Sequence, residues 1–438
     1  MSNKLEQDIN ALAEKLNEKT IACRRDLHMY PEVAWTEFRT AATVATELKR
    51  LGYEVLMGSE AIEEKAMMGV PSKEALAKHQ QRAIDQGANA ELVKKMDGGK
   101  TGVVGILKFS KPGNTVALRF DMDALNILEA NDDKHFPTAN KFASANTGVM
   151  HACGHDGHTS VGLAIAEIFA NLKDELSGTI KLIFQPGEEG VKGANAMVSK
   201  GIVDDVNYLL GFHFGFKTNK TGMFACNITD FLATSKIDAT FTGKPSHAGA
   251  FPEEGKNAVL AAACATINLH AISRHGAGAS RINVGVFNGG SSRNIIADKA
   301  TIQIETRGTT SSINEFMKAE THRMIKAAAM MHDVSVETTE MGGASAGQNS
   351  AELTSLLGDI AKSTNLFNHI LDHVSFGASE DFSSFMERVQ EKGGQAAYMM
   401  IGTNLPAQHH DHRFDIDEAS LINATKMVAI AASKLLSK

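Results

Sequence analysis

The sequence contains little cysteine. Four cysteines occur in 438 residues, at Cys23, Cys153, Cys226 and Cys264, and their spacing fits no disulfide framework. A chain with few and scattered cysteines is typical of a reducing compartment rather than of a secreted, disulfide-stabilised domain. The sequence therefore predicts a cytoplasmic protein.

Long apolar runs and basic blocks are also missing. No run of 18 apolar residues occurs, so no membrane span is expected. The first eight residues are polar and acidic, unlike a signal peptide. The net charge is −7, with 44 Lys and Arg against 51 Asp and Glu. Without a basic block, this balance argues against a nucleic-acid partner.

The remaining composition predicts an α/β protein. At 438 residues, the chain can form two or three domains, each with its own core. Apolar strands predicted at 115–120, 179–184 and 206–212 alternate with helices such as 157–171. This alternation predicts a mainly parallel central sheet with helices on both faces.

A second pattern interrupts the first. From about residue 228, the predicted order becomes β-α-β-β-α-β, which is ferredoxin-like. We therefore expect an inserted domain at 228–341, and a discontinuous sheet domain formed by 1–227 and 342–438. The charged, alanine-rich stretch near 61–97 predicts a helical insertion in the sheet domain.

The octapeptide His151-Ala-Cys-Gly-His-Asp-Gly-His158 combines imidazole, thiol and carboxylate groups. Such mixed ligands suit borderline metals such as zinc or manganese. Cys153 and His155 are two residues apart, so an extended backbone would direct both side chains the same way. Asp156 is predicted to orient a ligand imidazole. His151 and His158 either do the same or only pack.

Further candidate ligands follow other predicted strands. In open α/β sheets, ligands bind at the carboxyl ends of the strands, so scattered segments converge on one edge of the sheet. The segments are Asp121-Met-Asp123, Glu188-Glu189, His213 and His409-His410. A lone histidine after a strand is usually structural, but this convergence favours a metal site.

The paired glutamates indicate divided roles. One of Glu188 and Glu189 would bind metal, and the other would take the proton from the attacking water. The alternative is a solvated acidic turn. A thiolate or a second carboxylate could bridge two ions.

Several motifs closely resemble the zinc-dependent amidohydrolase and carboxypeptidase superfamily over nearly the whole chain. They are Arg24-Arg-Asp-Leu-His28 with Pro31-Glu32, Asp121-Met-Asp-Ala-Leu125, the octapeptide, Pro186-Gly-Glu-Glu-Gly190, Ser246-His-Ala-Gly249 and Gly377-Ala-Ser-Glu-Asp-Phe382. The resemblance implies a catalytic domain with two divalent ions, Mn²⁺ or Zn²⁺. It implies Glu188 as general base and the ligands Cys153, His155, Glu189, His213 and His410. Asp121, like Asp156, is expected to support these ligands.

The resemblance also implies a role for the inserted domain as a lid and dimerisation domain. His247 would stabilise the oxyanion, in some relatives across a dimer. Asn294 and Arg307 match positions that hold a substrate carboxylate, a task that suits the planar guanidinium. The alternative for Arg307 is an exposed charge on a strand.

The expected function is hydrolysis of the amide between an aromatic acyl group and glutamate. The insertion near 61–97 and the segment ending at Glu418 resemble those of superfamily members that act on p-aminobenzoyl-glutamate, and this resemblance implies p-aminobenzoyl-glutamate as the small-molecule substrate. One alternative is an amidohydrolase for another acyl amino acid, with an acetyl or indole-acyl group. A second alternative is a non-catalytic metal-binding subunit that supports a paralogous partner. We expect either a homodimer or a heterodimer with a related subunit.

Overall fold

The computed structural model describes residues 3–437, which form two compact units. The first, here called the sheet unit, comprises the described parts of Met1–Thr229, Gln348–Phe376 and Asp381–Lys438. The second, here called the inserted unit, comprises Asp230–Gly347 and Gly377–Glu380.

The described residues form twelve α-helices and fourteen strands. The helices are α1 Asn3–Met29, α2 Phe38–Arg50, α3 Lys73–Asp85, α4 Ala90–Lys95, α5 Phe136–Ala139, α6 His155–Asn171, α7 Ala194–Ser199, α8 Ala258–His270, α9 Ser311–Met331, α10 Ala351–Thr364, α11 Phe382–Glu391 and α12 Ala419–Leu436. The strands are β1 Glu54–Met57, β2 Val103–Lys108, β3 Lys111–Asp121, β4 Ser177–Gln185, β5 Tyr208–Phe214, β6 Met223–Ala225, β7 Ile228–Thr229, β8 Ala233–Thr242, β9 Ser280–Gly289, β10 Lys299–Gly308, β11 Ser335–Ala344, β12 His369–Leu371, β13 Val374–Ser375 and β14 Gln395–Ile401.

The sheet unit is built on an eight-stranded sheet in the order β1-β2-β4-β3-β5-β14-β6-β12. Its four central strands, β4, β3, β5 and β14, run parallel, whereas β1 and β2 pair antiparallel at one end. After their first residues, β5 and β14 are buried throughout, as expected for strands covered on both faces. The predicted α/β class with a mainly parallel central sheet is confirmed.

Helix α12 is a core element. It is the one helix among the described residues that is long and apolar enough to cross a membrane, with a mean hydropathy of 1.2. However, 72% of that segment is buried inside the protein. Its residues join the main hydrophobic core, where α12 packs against α1 and α6. Burial against other helices explains its apolar composition without a membrane.

The predicted insertion near 61–97 folds as α3 and α4, which pack against α2. Polar contacts attach it to the segment before α2. Trp35 Nε1 donates to the Met68 carbonyl at 2.8 Å, and Arg82 Nη2 donates to the buried Glu32 at 2.7 Å. The insertion is therefore part of the sheet unit.

The inserted unit has the chain order β8-α8-β9-β10-α9-β11 and the sheet order β11-β8-β10-β9, with every neighbouring pair antiparallel. The sequence predicts that it ends at 341, but β11 continues to Ala344. Gly342 and Gly343 do not terminate the strand. They continue it past a register shift between Glu340 and Gly342, because glycine accommodates a β-bulge.

Candidate metal centre

The candidate ligands lie around one edge of the central parallel strands. Asp121 is the last residue of β3, and His213 is the penultimate residue of β5 rather than a residue beyond it. Glu188 follows the end of β4, and His410 follows β14 through a longer loop. Since β4, β3, β5 and β14 are parallel neighbours, their carboxyl ends bring these residues to the same edge.

A glycine in the left-handed backbone conformation orients Cys153 and His155. Gly154 has φ 93° and precedes α6, whose first residue is His155. The two-residue spacing suggested an extended backbone at this point, but the backbone is not extended here. A turn brings both side chains together, and a side chain at position 154 would be strained in this conformation.

The structure brings all five predicted ligands into overlapping groups. Cys153 Sγ lies 3.4 Å from His213 Nε2, and His410 Nε2 lies 3.2 Å from Glu189 Oε1. The potential ligand atoms of Cys153, His155 and His213 lie within 4.8 Å of one another, as do those of Cys153, Glu189 and His410. This proximity is what shared metal coordination requires.

Backbone carbonyls fix the tautomers of two ligand histidines. His155 Nδ1 donates to the Asp123 carbonyl at 2.8 Å, and His213 Nδ1 donates to the Phe214 carbonyl at 2.7 Å. Each Nε2 is therefore the ring nitrogen with a lone pair available to a metal. His155 Nε2 is buried and has no hydrogen-bond partner, so its position suits a ligand atom.

His158 cannot be a ligand in this arrangement, because both ring nitrogens are engaged. Its Nδ1 donates to Asp121 Oδ1 at 2.6 Å, and its Nε2 accepts from the Phe214 amide at 3.1 Å. Asp121, predicted to support the site, also pairs with the buried Arg119 and lies 3.7 Å from His155 Nε2. His151 is buried with neither nitrogen hydrogen-bonded, and burial lowers its pKa to about 3.

The prediction that Asp156 orients a ligand imidazole is not supported by its contacts. Its Oδ2 accepts from Arg24 Nε and contacts His28 Nδ1, each at 2.8 Å, and its Oδ1 accepts from the Gly157 amide. Both carboxylate oxygens are thus occupied away from the ligand rings. Asp156 instead connects the start of α6 to α1.

The two glutamates are held by another carboxylate. Asp123 accepts from the Glu188 amide at 3.0 Å and from the Glu189 amide at 2.9 Å, one bond to each oxygen. Just before them, the Gly187 amide donates to Glu37 Oε1 at 2.8 Å. These bonds fix the backbone, so that Glu189 faces His410 and Glu188 Oε2 lies 3.9 Å from His155 Nε2.

The charges fit a divalent cation. Burial, together with Glu189 and Glu188, raises the pKa of the Cys153 thiol well above its usual range. Burial alone would lower the pKa of His155, but Asp121 and Asp123 raise it to about 10. A buried thiolate among carboxylates requires a compensating positive charge, and a metal ion supplies it while binding the neutral imidazoles. The residues present therefore fit a divalent metal.

The His28–Asp156 contact predicts a pH-dependent stability. Burial lowers the pKa of His28, but bonds to Asp156 and Glu129 raise it to about 9, above its usual 6.5. The protonated ring therefore stabilises the fold fully below pH 6.5, and this contribution disappears as the pH rises through 9. We expect His28→Gln to lower the free energy of unfolding by about 2–3 kcal/mol at pH 6 and by much less near pH 10.

Urea denaturation of both proteins from pH 6 to pH 10 measures this difference. The exposed His373 supplies a control, since His373→Gln should show no such trend. A penalty for His28→Gln that stays constant over this range would contradict a protonated His28.

The other predicted site residues lie in the inserted unit. The exposed His247 accepts the Gly249 and Ala250 amides on Nδ1, at 3.2 and 3.1 Å. A bond from the Ala248 amide to the Asn294 carbonyl, 3.0 Å long, joins the two segments. Arg307 lies on β10 and pairs with Glu305. Their roles toward a substrate remain predictions.

Several residues that shape the site were not predicted from the sequence. Asp123 stands in a predicted motif without a role of its own, and Glu37, Arg119 and Asp381 were not among the predicted site residues. Arg119 forms an ion pair with Asp381 at 3.2 Å. Burial of the Glu37 side chain, together with the negative charge of Asp123, raises the pKa of Glu37 to about 8. Charged residues in otherwise apolar strands, as at Arg119, were the available signal.

Known proteins are similar to this chain over nearly its full length. The family model for peptidase family M20/M25/M40 matches residues 117–434, which is more than half of the chain. One of the subunits of p-aminobenzoyl-glutamate hydrolase from Escherichia coli is 45% identical, over 98% of this chain and 97% of that protein. The indole-3-acetyl-aspartic acid hydrolase of Enterobacter agglomerans is 44% identical, over 97% of each.

A solved structure agrees with these relatives. The aminobenzoyl-glutamate utilization protein from Klebsiella pneumoniae superposes with a TM-score of 0.85 at 36% identity, covering 97% of this chain and 98% of that one. Together with the grouped thiol, imidazole and carboxylate ligands, the match over nearly the full length identifies an amide-bond hydrolase that binds divalent metal. The chain belongs to the M20/M25/M40 peptidase family.

Proposed function

We propose that this enzyme hydrolyses the amide between an aromatic acyl group and an acidic amino acid, with p-aminobenzoyl-glutamate as the principal substrate. The observation that carries the proposal is the ligand cluster with Glu188 beside it, in a chain that is 45% identical to a p-aminobenzoyl-glutamate hydrolase chain. Indole-3-acetyl-aspartate is the second candidate, because the relative named for it is 44% identical.

Glu188 acts as the general base in this proposal. Its carboxylate lies 3.9 Å from the available nitrogen of His155, while the Asp123 carboxylate fixes its backbone. It takes a proton from the attacking water and later delivers that proton to the leaving amine nitrogen. His247 donates to the oxyanion that forms at the former carbonyl, and Asn294 and Arg307 hold a substrate carboxylate.

Five residues, Cys153, His155, Glu189, His213 and His410, would hold two divalent ions. We favour Mn²⁺ or Zn²⁺, because a mixed thiolate, imidazole and carboxylate set accepts either. When bound, such ions polarise the scissile carbonyl and make water more acidic. Asp121 and Asp123 keep the two glutamates and the neighbouring histidines in position.

We further propose a cytoplasmic enzyme that assembles either with itself or with a related chain. All four cysteines are free, in keeping with a reducing compartment. The Escherichia coli relative is named as one subunit of its enzyme, which supports a partner chain. The inserted unit is proposed as the lid and dimerisation domain.

Metal removal and restoration test the function. We expect chelation to abolish glutamate release from p-aminobenzoyl-glutamate by the purified chain, and resupplied Mn²⁺ or Zn²⁺ to restore it. Glutamate would be measured by a coupled assay, with p-aminobenzoate followed by chromatography. Separate reactions with indole-3-acetyl-aspartate and N-acetyl amino acids define the acyl and amino-acid preference.

Each result of that panel has a distinct meaning. Cleavage of N-acetyl amino acids without cleavage of either aromatic conjugate would keep the chemistry and reject the proposed substrate. If the metal-loaded chain cleaves no substrate, the catalytic role of the isolated chain is rejected. A non-catalytic subunit supporting a paralogous partner would then be the better description.

A further inference from the structure

The candidate segment His409-His410 contains one proposed ligand, His410, and leaves His409 without a role. The ring of His409 lies 5.3 Å from that of the ligand His213, measured between centroids. His213 belongs to one of the two overlapping ligand groups, and His410 belongs to the other. His409 therefore contacts one ligand group in space and adjoins the other in the chain.

A single backbone carbonyl joins His409 to His213. The Phe214 oxygen accepts from His213 Nδ1 at 2.7 Å and from His409 Nε2 at 3.0 Å. A carbonyl oxygen has two lone pairs, so it can accept both bonds at once. Because it can only accept, Nε2 of His409 carries the hydrogen. The orientation of the ligand His213 is therefore linked to the position of His409.

Packing holds the His409 ring in this position. The ring stacks on Phe216, with centroids 3.9 Å apart and planes 3° apart, and it contacts Phe414 at 4.8 Å. Gly215 permits this close approach, since a Cβ there would lie 2.8 Å from His409 Cε1. The half-buried ring is thus fixed by two aromatic side chains as well as by its hydrogen bond.

The neighbouring ligand His410 is much less enclosed. Its side chain is 52% exposed, and its backbone has φ 67°, a conformation that is uncommon for residues other than glycine. Such a conformation persists where surrounding contacts determine it. One contact is the bond from the His410 amide to the Ala152 carbonyl, 2.8 Å long. The fixed ring of His409 supplies a second anchor for this segment.

We propose that His409 is a positioning residue for the metal centre, which holds His410 in place through its bond to the Phe214 carbonyl. Residues that orient metal ligands typically contribute 10- to 100-fold to metal affinity. His213 is buried and keeps its own bond to Phe214, whereas the exposed His410 has less to hold it. Loss of the His409 donor therefore weakens the ion bound by His410 more than the other. This inference rests on the ligands of the proposed function but not on its substrate.

Two variants separate the ring of His409 from its donor. His409→Phe keeps an aromatic ring against Phe216 but cannot donate to the Phe214 carbonyl, whereas His409→Gln keeps an amide donor near the position of Nε2. We expect His409→Phe to weaken one of the two ions about 10- to 100-fold and to leave the other little changed. His409→Gln should restore most of the lost affinity. The matched control is His373→Phe at an exposed position, which should bind both ions as wild type does.

Affinity would be measured by titrating each metal-stripped protein with Zn²⁺, and separately with Mn²⁺, against a competing chelator. Urea denaturation of the metal-free proteins shows whether the fold itself is weakened. Wild-type affinity for both ions in His409→Phe would overturn the inference, as would equal weakening of both ions together with a lower free energy of unfolding. If His409→Phe does not fold, Phe216→Leu tests the same point, because it removes the stacking partner. It should weaken the same ion, and unchanged affinity would overturn the inference.

Metal binding needs no turnover, so this test is separate from that of the proposed function. If wild type binds two ions but cleaves no acyl amino acid, the proposed function fails, whereas selective weakening in His409→Phe still supports the role of His409. In the active enzyme, the Mn²⁺ concentration for half-maximal glutamate release should rise about 10- to 100-fold in His409→Phe. Its kcat at saturating Mn²⁺ should stay near the wild-type value, because Glu188 is unchanged. A lower kcat with an unchanged Mn²⁺ requirement would contradict a positioning role.

Discussion

Glu188→Gln is expected to abolish turnover of p-aminobenzoyl-glutamate while the bound metal content stays unchanged. General acid–base catalysis contributes about 10²–10⁴-fold in rate, so we expect kcat to fall about a thousandfold or more. The amide keeps the shape of the carboxylate but cannot accept the proton of the attacking water. The predicted ligands remain, because Glu189, not Glu188, lies beside His410 at 3.2 Å.

Two further variants make this prediction specific. Glu189→Gln should lower the metal content as well as the activity, since it removes a proposed ligand. Glu253→Gln, at an exposed position of the inserted unit, should change neither. Metal content would be measured by elemental analysis after desalting, and kcat by glutamate release. If Glu188→Gln retains activity, or loses metal together with activity, the base assignment is wrong.

Arg24→Ala is expected to lower the free energy of unfolding by about 3–5 kcal/mol, the usual cost of removing one partner from a buried ion pair. The Arg24 side chain is 0% exposed and pairs with Asp156 at 2.8 Å, with Asp415 and with Glu418. Its loss removes the guanidinium counter-charge of the buried Asp415 and leaves Asp156 with His28 as its cationic partner, next to the helix that begins with His155. Urea denaturation and thermal melting would measure the change.

The adjacent arginine provides the control. Arg25 is 36% exposed and pairs with Glu418 at 2.6 Å, so Arg25→Ala should cost no more than about 1 kcal/mol. Because both variants remove an arginine from the same helix, the helix propensity changes equally. Equal destabilisation by both variants would show that burial of the Arg24 network does not determine the effect.

Much of the site could be anticipated, because its residue types are chemically unusual in sequence. A cysteine and three histidines within eight residues indicate metal binding, and the glutamate pair after an apolar strand indicates a base beside a ligand. The rule that strand ends share an edge grouped these segments before the fold was known. The five ligands came from the family resemblance, and the structure brings all five together.

The contacts that support the ligands could not be predicted from the sequence, because they join residues far apart in the chain. Asp156 lies next to a ligand in sequence, yet it contacts Arg24 and His28 of α1. Asp123 and Glu37, which fix the Glu188 loop, are 65 and 150 residues from the amides they bind. The spacing of residues in the sequence indicates in which direction neighbouring side chains point. Pairings between distant residues depend instead on how the helices pack on the sheet.

The sequence by itself determined the α/β class, the β-α-β-β-α-β insertion and the ligand-bearing segments, because periodicity and residue chemistry are local properties. Only the tertiary structure decided that His158 is a hydrogen-bonded support and that His155 and His213 present Nε2. Tautomers, charge balance and cross-strand neighbours depend on burial and on the position of distant backbone groups, and these are set when the sheet and helices pack.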